Sequence, residues 1–89
     1  MVRIYVRHNV KDYAKWRKAY DGFDQERAGL GVTAHEVHRS IAKPNELTIS
    51  HDFENADQAK AFVKSKRLKE VMKQAGVKGA PVIWLVKPA

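Results

Sequence analysis

Five consecutive apolar residues near the C-terminus, Val82-Ile83-Trp84-Leu85-Val86, constrain this chain more than any other feature. The run is short, bounded upstream by Gly79-Ala80-Pro81, and rich in β-branched and aromatic side chains, so it reads as a strand. Successive side chains of a strand point to opposite faces, which puts Val82, Trp84 and Val86 on one side and Ile83 and Leu85 on the other. Both faces are apolar, and such a strand calls for cover on both sides. The fold must therefore supply one layer behind this strand and another in front.

The rest of the chain builds the layer behind. Residues 2–8 alternate, with Val2, Ile4, Val6 and His8 on one face and Arg3, Tyr5 and Arg7 on the other. Asp12 is placed to cap a helix in which Tyr13, Trp16, Tyr20 and Phe23 recur at helical spacing until Gly29 and Gly31 stop it. Residues 32–41 form a weaker strand, and Lys43-Pro44-Asn45 is turn chemistry. Alternation returns from Glu46 to Phe53, where Leu47, Ile49, His51 and Phe53 oppose Glu46, Thr48, Ser50 and Asp52. Asn55 with Gln58 is a variant of the capping box and opens a second helix. Ala59, Phe62 and Val63 keep its period, which slips before Leu68, Val71, Met72 and Ala75, with Ser65 placed to cap an offset second piece. Gly76 ends that helix, and the last strand follows after Gly79-Ala80-Pro81.

The order strand, helix, strand, strand, helix, strand, with no linker, predicts one α+β domain over residues 1–89: a ferredoxin-like βαββαβ fold, its four-stranded antiparallel sheet backed by helices on one face. With Ile4 opposite His51, Arg3 falls opposite Asp52 and Tyr5 opposite Ser50, so that opposite charges meet across strands. The layer in front is missing from a single copy. A domain of this size buries only about 60–65% of the surface its unfolded chain exposes, and the chain has no cysteine to staple it. A second copy laid sheet to sheet is the expected cover, giving a dimeric α+β barrel. The room between two such sheets is a natural small-molecule cavity.

Three stretches carry a resemblance: Val6-Arg7-His8-Asn9-Val10-Lys11-Asp12-Tyr13-Ala14-Lys15-Trp16, the turn Pro44-Asn45-Glu46, and Ala75-Gly76-Val77-Lys78-Gly79-Ala80-Pro81. They resemble small bacterial proteins of the dimeric α+β barrel superfamily, more narrowly those described as antibiotic-biosynthesis-monooxygenase-like or cyclase-like. The resemblance covers nearly the whole chain. It implies a homodimer that binds a small apolar or aromatic molecule between sheet and helices and, where it is an enzyme, a cofactor-free monooxygenase, cyclase or isomerase. Haem-degrading members of the superfamily look to the second helix for a histidine ligand to iron. Residues 55–75 contain none, and Met72 is a poor substitute. No glycine-rich strand-to-helix fingerprint suggests flavin or nicotinamide, so no cofactor is expected.

Four histidines are the candidates for proton transfer. His8, placed where the first strand ends, is a candidate base at a cavity mouth; the plainer reading is a structural histidine bonded to a backbone carbonyl. His35 and His38 are three apart in a strand, so they face opposite sides and do not chelate one metal ion. His38 is assigned to the barrel interior as the second catalytic candidate, which puts Val37 and Ile41 on the helix side with Leu47 and Ile49. His51 joins Ile49 and Phe53 in the core, where its ring needs a partner that Tyr13 or Tyr20 would supply. Arg7 or Arg39 would stabilise an oxyanion. The ligand-binding candidates are thus Tyr5, Arg7, His35, Arg39, His51 and Trp84, while the aromatics of the first helix read as core packing.

The formal net charge of +7 raises nucleic acid as a rival partner. RNA-recognition motifs share this strand order but carry a basic and glycine-aromatic signature on the third strand. Here that strand is acidic and lacks glycine. The basic residues instead follow the helices (Lys60, Lys64, Lys66, Arg67, Lys69 and Lys73 on the second), as on a solvated helix face. The N-terminus is interrupted by charge every second residue, which fits neither a signal peptide nor a membrane span, so a cytoplasmic location is expected. A non-catalytic dimeric binding or scaffold protein is the alternative to an enzyme, with a basic nucleic-acid binder third.

Overall fold

Alternating sequence at the N-terminus and around residue 50 builds the two central strands, as the period-two pattern requires. In the computed structural model, which describes residues 1–89, β1 (Val2–Val10) lies antiparallel to β3 (Glu46–Phe53). β2 (Ala34–Arg39) flanks β3, and β4 (Val77–Val86) flanks β1, giving the order β2-β3-β1-β4. The register places Ile4 opposite His51, Arg3 opposite Asp52 and Tyr5 opposite Ser50. Arg3 then grips Asp52 with two nitrogens, at 2.6 and 3.0 Å.

Both helical segments are divided, the second at Ser65 as the slip in its period predicts. The first breaks at Phe23 into α1 (Tyr13–Gly22) and α2 (Asp24–Gly29) rather than running on to Gly29. The Asp12 carboxylate caps α1 by accepting from the Lys15 N–H. The second helix divides at Ser65 into α3 (Ala56–Lys64) and α4 (Lys66–Gln74), and the Ser65 hydroxyl caps α4 at the Leu68 N–H. Asn55 caps α3, but the capping box is only half made: Gln58 Oε1 is buried without a partner, and the side chain packs against Gly31 instead. Gly31 has φ +97°, and an added Cβ there would sit 3.2 Å from Gln58.

Two further expectations are corrected. β2 stops at Arg39, so Ile41 lies in the connection to β3, fully exposed rather than on the helix side. β4 begins at Val77, so the Gly79-Ala80-Pro81 segment belongs to the strand. Pro81 is tolerated because β4 is an edge strand, where a missing N–H costs no ladder bond on the outer side.

The helices cover one face. Ile4, Val6, Phe23, Phe53, Ala59 and Phe62 form one core cluster, and Val10, Trp16, Tyr20, Leu47, Ile49 and Ala75 a second. On the other face Tyr5 stacks on Trp84 with centroids 5.4 Å apart. Val82, Trp84 and Val86 are exposed there, at 60%, 37% and 38%. No helix is long and apolar enough to cross a membrane.

Candidate functional site

The register that packs Ile4 and Val6 under the helices carries His8 to the same side. Opposite His8 the β1–β4 ladder is interrupted. Arg7 pairs with Val82 and Asn9 with Lys78, so the single residue His8 faces the three residues Gly79-Ala80-Pro81. Such a bulge bends the edge strand and ends regular pairing beside it. Gly79 takes φ +66° there, a conformation glycine adopts without strain.

Beside this bulge, between sheet and helices, lies a cavity of about 50 Å³. One water needs roughly 10–15 Å³ of such space, so the cavity holds a few waters in its present shape. Its wall is mostly apolar, with Trp16, Phe23, Phe62, Val71 and Met72 among its residues, and four polar side chains interrupt it: His8, Tyr20, Arg27 and His51.

Neither ring nitrogen of His8 has a hydrogen-bond partner within the protein, and the ring meets Trp16 edge-on at 5.8 Å. The backbone-bonded structural role is therefore not the one observed. Burial pushes the His8 imidazole down from 6.5 to about 4. His51 Nδ1 also lacks a partner, and burial, reinforced by the charges of Arg27 and His35, lowers that ring to about 3. Both imidazoles are neutral at neutral pH and keep a lone pair available.

Arg27 is 2% exposed. Its guanidinium donates to the Tyr20 carbonyl at 2.7 Å and to Asp24 at 3.1 Å, and lies 3.9 Å from the centroid of the Tyr20 ring. Its Nε has no partner. Tyr20 does not serve His51 as expected. Its hydroxyl pairs with His35 Nδ1 at 2.5 Å, and His35 Nε2 meets Asp24 Oδ1 at 3.2 Å. Burial raises the Tyr20 phenol above its usual range, against smaller opposing effects of Arg27 and Arg17.

The sheet divides the sequence candidates. His8 and His51 line the cavity. His35 stands behind Tyr20, on the same side, and Arg39 covers the Tyr13 ring at 3.9 Å while bonding the Pro44 carbonyl. Tyr5, Arg7, His38 and Trp84 belong to the exposed face, where Arg7 lies 5.9 Å from the Trp84 ring and the exposed His38 stands 3.7 Å from Glu36. Neither Arg7 nor Arg39 lines the cavity; the arginine there is Arg27. The sequence held a signal for it. Arg27 continues the spacing Tyr13, Trp16, Tyr20, Phe23 by four more residues, a charge on an apolar stripe. No group of three or more metal-ligating side chains converges anywhere in the chain.

No family model matches this sequence, and no curated protein is significantly similar to it. Solved structures do match. One is a candidate antibiotic biosynthesis monooxygenase from Bordetella bronchiseptica, with a TM-score of 0.84, 18% identity, and 99% of this chain and 96% of that one covered. A second candidate of the same kind, from Nitrosomonas europaea, gives 0.74 at 11% identity over 99% and 98% of the two chains. A variant of SnoaB, a cofactor-independent oxygenase from Streptomyces nogalater, gives 0.77 at 14% identity over 98% and 91%. The fold is that of the antibiotic-biosynthesis-monooxygenase-like proteins. Within this fold, the cavity of the present chain lies between sheet and helices, and its polar residues come from β1, β3, α1 and α2.

Proposed function

We propose that this chain is a homodimeric, single-domain oxygenase-like protein whose cavity takes a small aromatic molecule bearing hydroxyl or enolisable groups. One observation carries the reading: an apolar cavity is lined by three buried polar side chains, His8, Arg27 and His51, that each retain an unpaired nitrogen. Buried polar groups are rarely left unpaired, and a ligand with oxygens at these places would pair them in place of the few waters the cavity can hold. The neutral rings accept hydrogen bonds from ligand O–H groups. Arg27 stabilises the oxyanion left when a proton departs.

An electron-rich anion of this kind is what a cofactor-independent oxygenation needs. With no separate reductant, all the electrons that reduce O2 come from the ligand. A CH2 flanked by aromatic rings becomes C=O, one oxygen atom enters the ligand, and the other leaves as water with the two hydrogens. The fold shared with SnoaB supports this reaction class.

The exposed strip of Val82, Trp84 and Val86 supports the homodimer, since a partner sheet would cover it. The test has two stages. Saturable binding of 2-naphthol, lost in Arg27→Met, checks the cavity. Oxygen uptake with anthrone, one O2 consumed per anthraquinone formed, checks the chemistry. Binding without uptake would leave a non-catalytic binding protein, the second reading that the same cavity supports.

A further inference from the structure

The proposed cavity chemistry releases a proton, and the cavity histidines are poor places to keep it. His8 and His51 are buried, so an imidazolium at either would be desolvated, and at His51 it would also face the charge of Arg27. A different route leads out. The Tyr20 ring is part of the cavity wall, and its hydroxyl bonds His35 Nδ1. The far nitrogen of His35 meets the carboxylate of Asp24, which is 66% exposed.

We propose that Tyr20, His35 and Asp24 form a proton-accepting triad that serves the cavity, with Tyr20 as the group that meets the ligand. The roles follow from the donors and acceptors available. A carboxylate only accepts, so His35 Nε2 carries its hydrogen toward Asp24. Nδ1 then has the lone pair that receives the Tyr20 hydroxyl. When the ligand loses its proton, the Tyr20 oxygen takes it as the Tyr20 hydrogen passes to Nδ1. The balance is a ligand anion, an intact phenol and an imidazolium with both N–H groups engaged, one by Tyr20 and one by Asp24. The reverse transfer hands the proton back when the oxygen atom that does not enter the ligand leaves as water, so the triad returns to its starting tautomer unaided.

The surroundings suit these roles. Arg27 binds Asp24 and lies over the Tyr20 ring, fixing both ends of the triad to one side chain. Arg17 stands 5.4 Å from the Tyr20 ring, and the His51 ring stacks on His35 at 6.2 Å. His35 acts through Tyr20, so it is a positioning and proton-holding residue rather than a ligand contact.

This inference rests on the proposed cavity function, and two measurements keep their failures apart. In the ligand-free protein, 15N NMR of the imidazoles is expected to show His35 with a hydrogen on Nε2 and bare Nδ1, and an Nδ1 resonance that moves in Tyr20→Phe. The opposite tautomer would overturn the triad whether or not the cavity binds anything. In the second measurement, 2-naphthol is bound and excited, which makes it strongly acidic, and naphtholate emission reports a proton acceptor within reach. Tyr20→Phe and His35→Gln are each expected to suppress that emission several-fold per bound naphthol, His35→Gln at unchanged affinity and Tyr20→Phe with weaker binding, and Asp24→Asn to suppress it less, with Asp24→Glu restoring it. Full naphtholate emission in His35→Gln would overturn the proposal.

Discussion

The guanidinium of Arg27 is held to Tyr20 twice, by a 2.7 Å bond to its carbonyl and by its ring face at 3.9 Å from the centroid. Since α1 ends at Gly22 and α2 begins at Asp24, this contact spans the break at Phe23 and ties the two pieces together. Asp24, the ion-pair partner, is largely solvated. Removing Arg27 therefore strands no buried carboxylate, and the loss is one of packing, cation–π contact and the buried bond to the Tyr20 carbonyl. Arg27→Ala is expected to cost about 2–4 kcal/mol in denaturant unfolding. Arg27→Met keeps most of the volume but gives up the carbonyl bond, and is expected to cost about 1–2 kcal/mol. If the charge serves ligand binding, Arg27→Met loses naphthol affinity while remaining folded, a separation that a purely structural arginine would not give.

Acid should weaken the fold before the paired carboxylates of Asp52 and Glu26 take up protons. The native imidazoles of His8 and His51 have values near 4 and 3, against 6.5 for an ordinary histidine. The unfolded chain thus binds more protons between pH 6.5 and about 4, and stability rises with pH across that window. The stabilisation is complete above it and is lost as the pH falls toward the native values. For His8 the difference is roughly 3 kcal/mol, large against a total of about 5–15 kcal/mol. Asp52 and Glu26, whose values Arg3 and Arg67 lower, add their losses only at more acid pH. The check is unfolding free energy between pH 7 and 4 in wild type, His8→Leu and the double variant with His51→Phe. The decline is expected to flatten stepwise, and a double variant with an undiminished slope would refute the assignment.

Where two faces of a strand differ chemically, the sequence specifies the register closely. The charges at Arg3 and Asp52 and the apolar line through Ile4, Val6, Leu47 and Ile49 leave β1 and β3 one good alignment, and they adopt it. The start of β4 was hidden because Gly79 and Pro81 also read as a turn. Their place beside His8 depends on the β1–β4 register across the bulge, a pairing between residues some seventy positions apart. The cavity was obscured for a related reason. Tyr20 packs as a core aromatic by its ring, yet its hydroxyl is committed to His35 on an edge strand. Helical periodicity reports which face a residue takes, not which polar atom of another element waits there.

Trp84 tests the sheet-to-sheet dimer. It is the aromatic centre of an exposed strip that also contains Val82 and Val86, and it stacks on Tyr5 in its own chain. A central aromatic in a covered interface contributes about 2 kcal/mol or more, equivalent to roughly 30-fold in affinity. Trp84→Lys is therefore expected to shift sedimentation from dimer toward monomer at micromolar concentration with an unchanged circular dichroism spectrum. A wild-type chain that sediments as a monomer would remove the partner sheet.

The size of the cavity sets a last expectation, about α4. A volume of about 50 Å³ does not admit an aromatic ring, for which an engineered pocket of about 150 Å³ suffices. The wall that can give way is α4. It supplies Leu68, Val71 and Met72 to the cavity, yet none of its residues is fully buried, whereas Trp16, Phe23 and Phe62 opposite are core residues. Ser65, whose extended backbone separates α4 from α3, is where α4 would swing. Ligand entry should thus displace α4 rather than the sheet, with the flexible Met72 side chain moving first. Met72→Ala removes that obstruction, and because Met72 is only partly buried its stability cost is expected to be about 1 kcal/mol, below the range for core truncations. Naphthol should bind faster to Met72→Ala than to wild type, and hydrogen exchange at the amides of α4 should slow when the site fills. Exchange that slows in the sheet while α4 is unaffected would place the opening elsewhere.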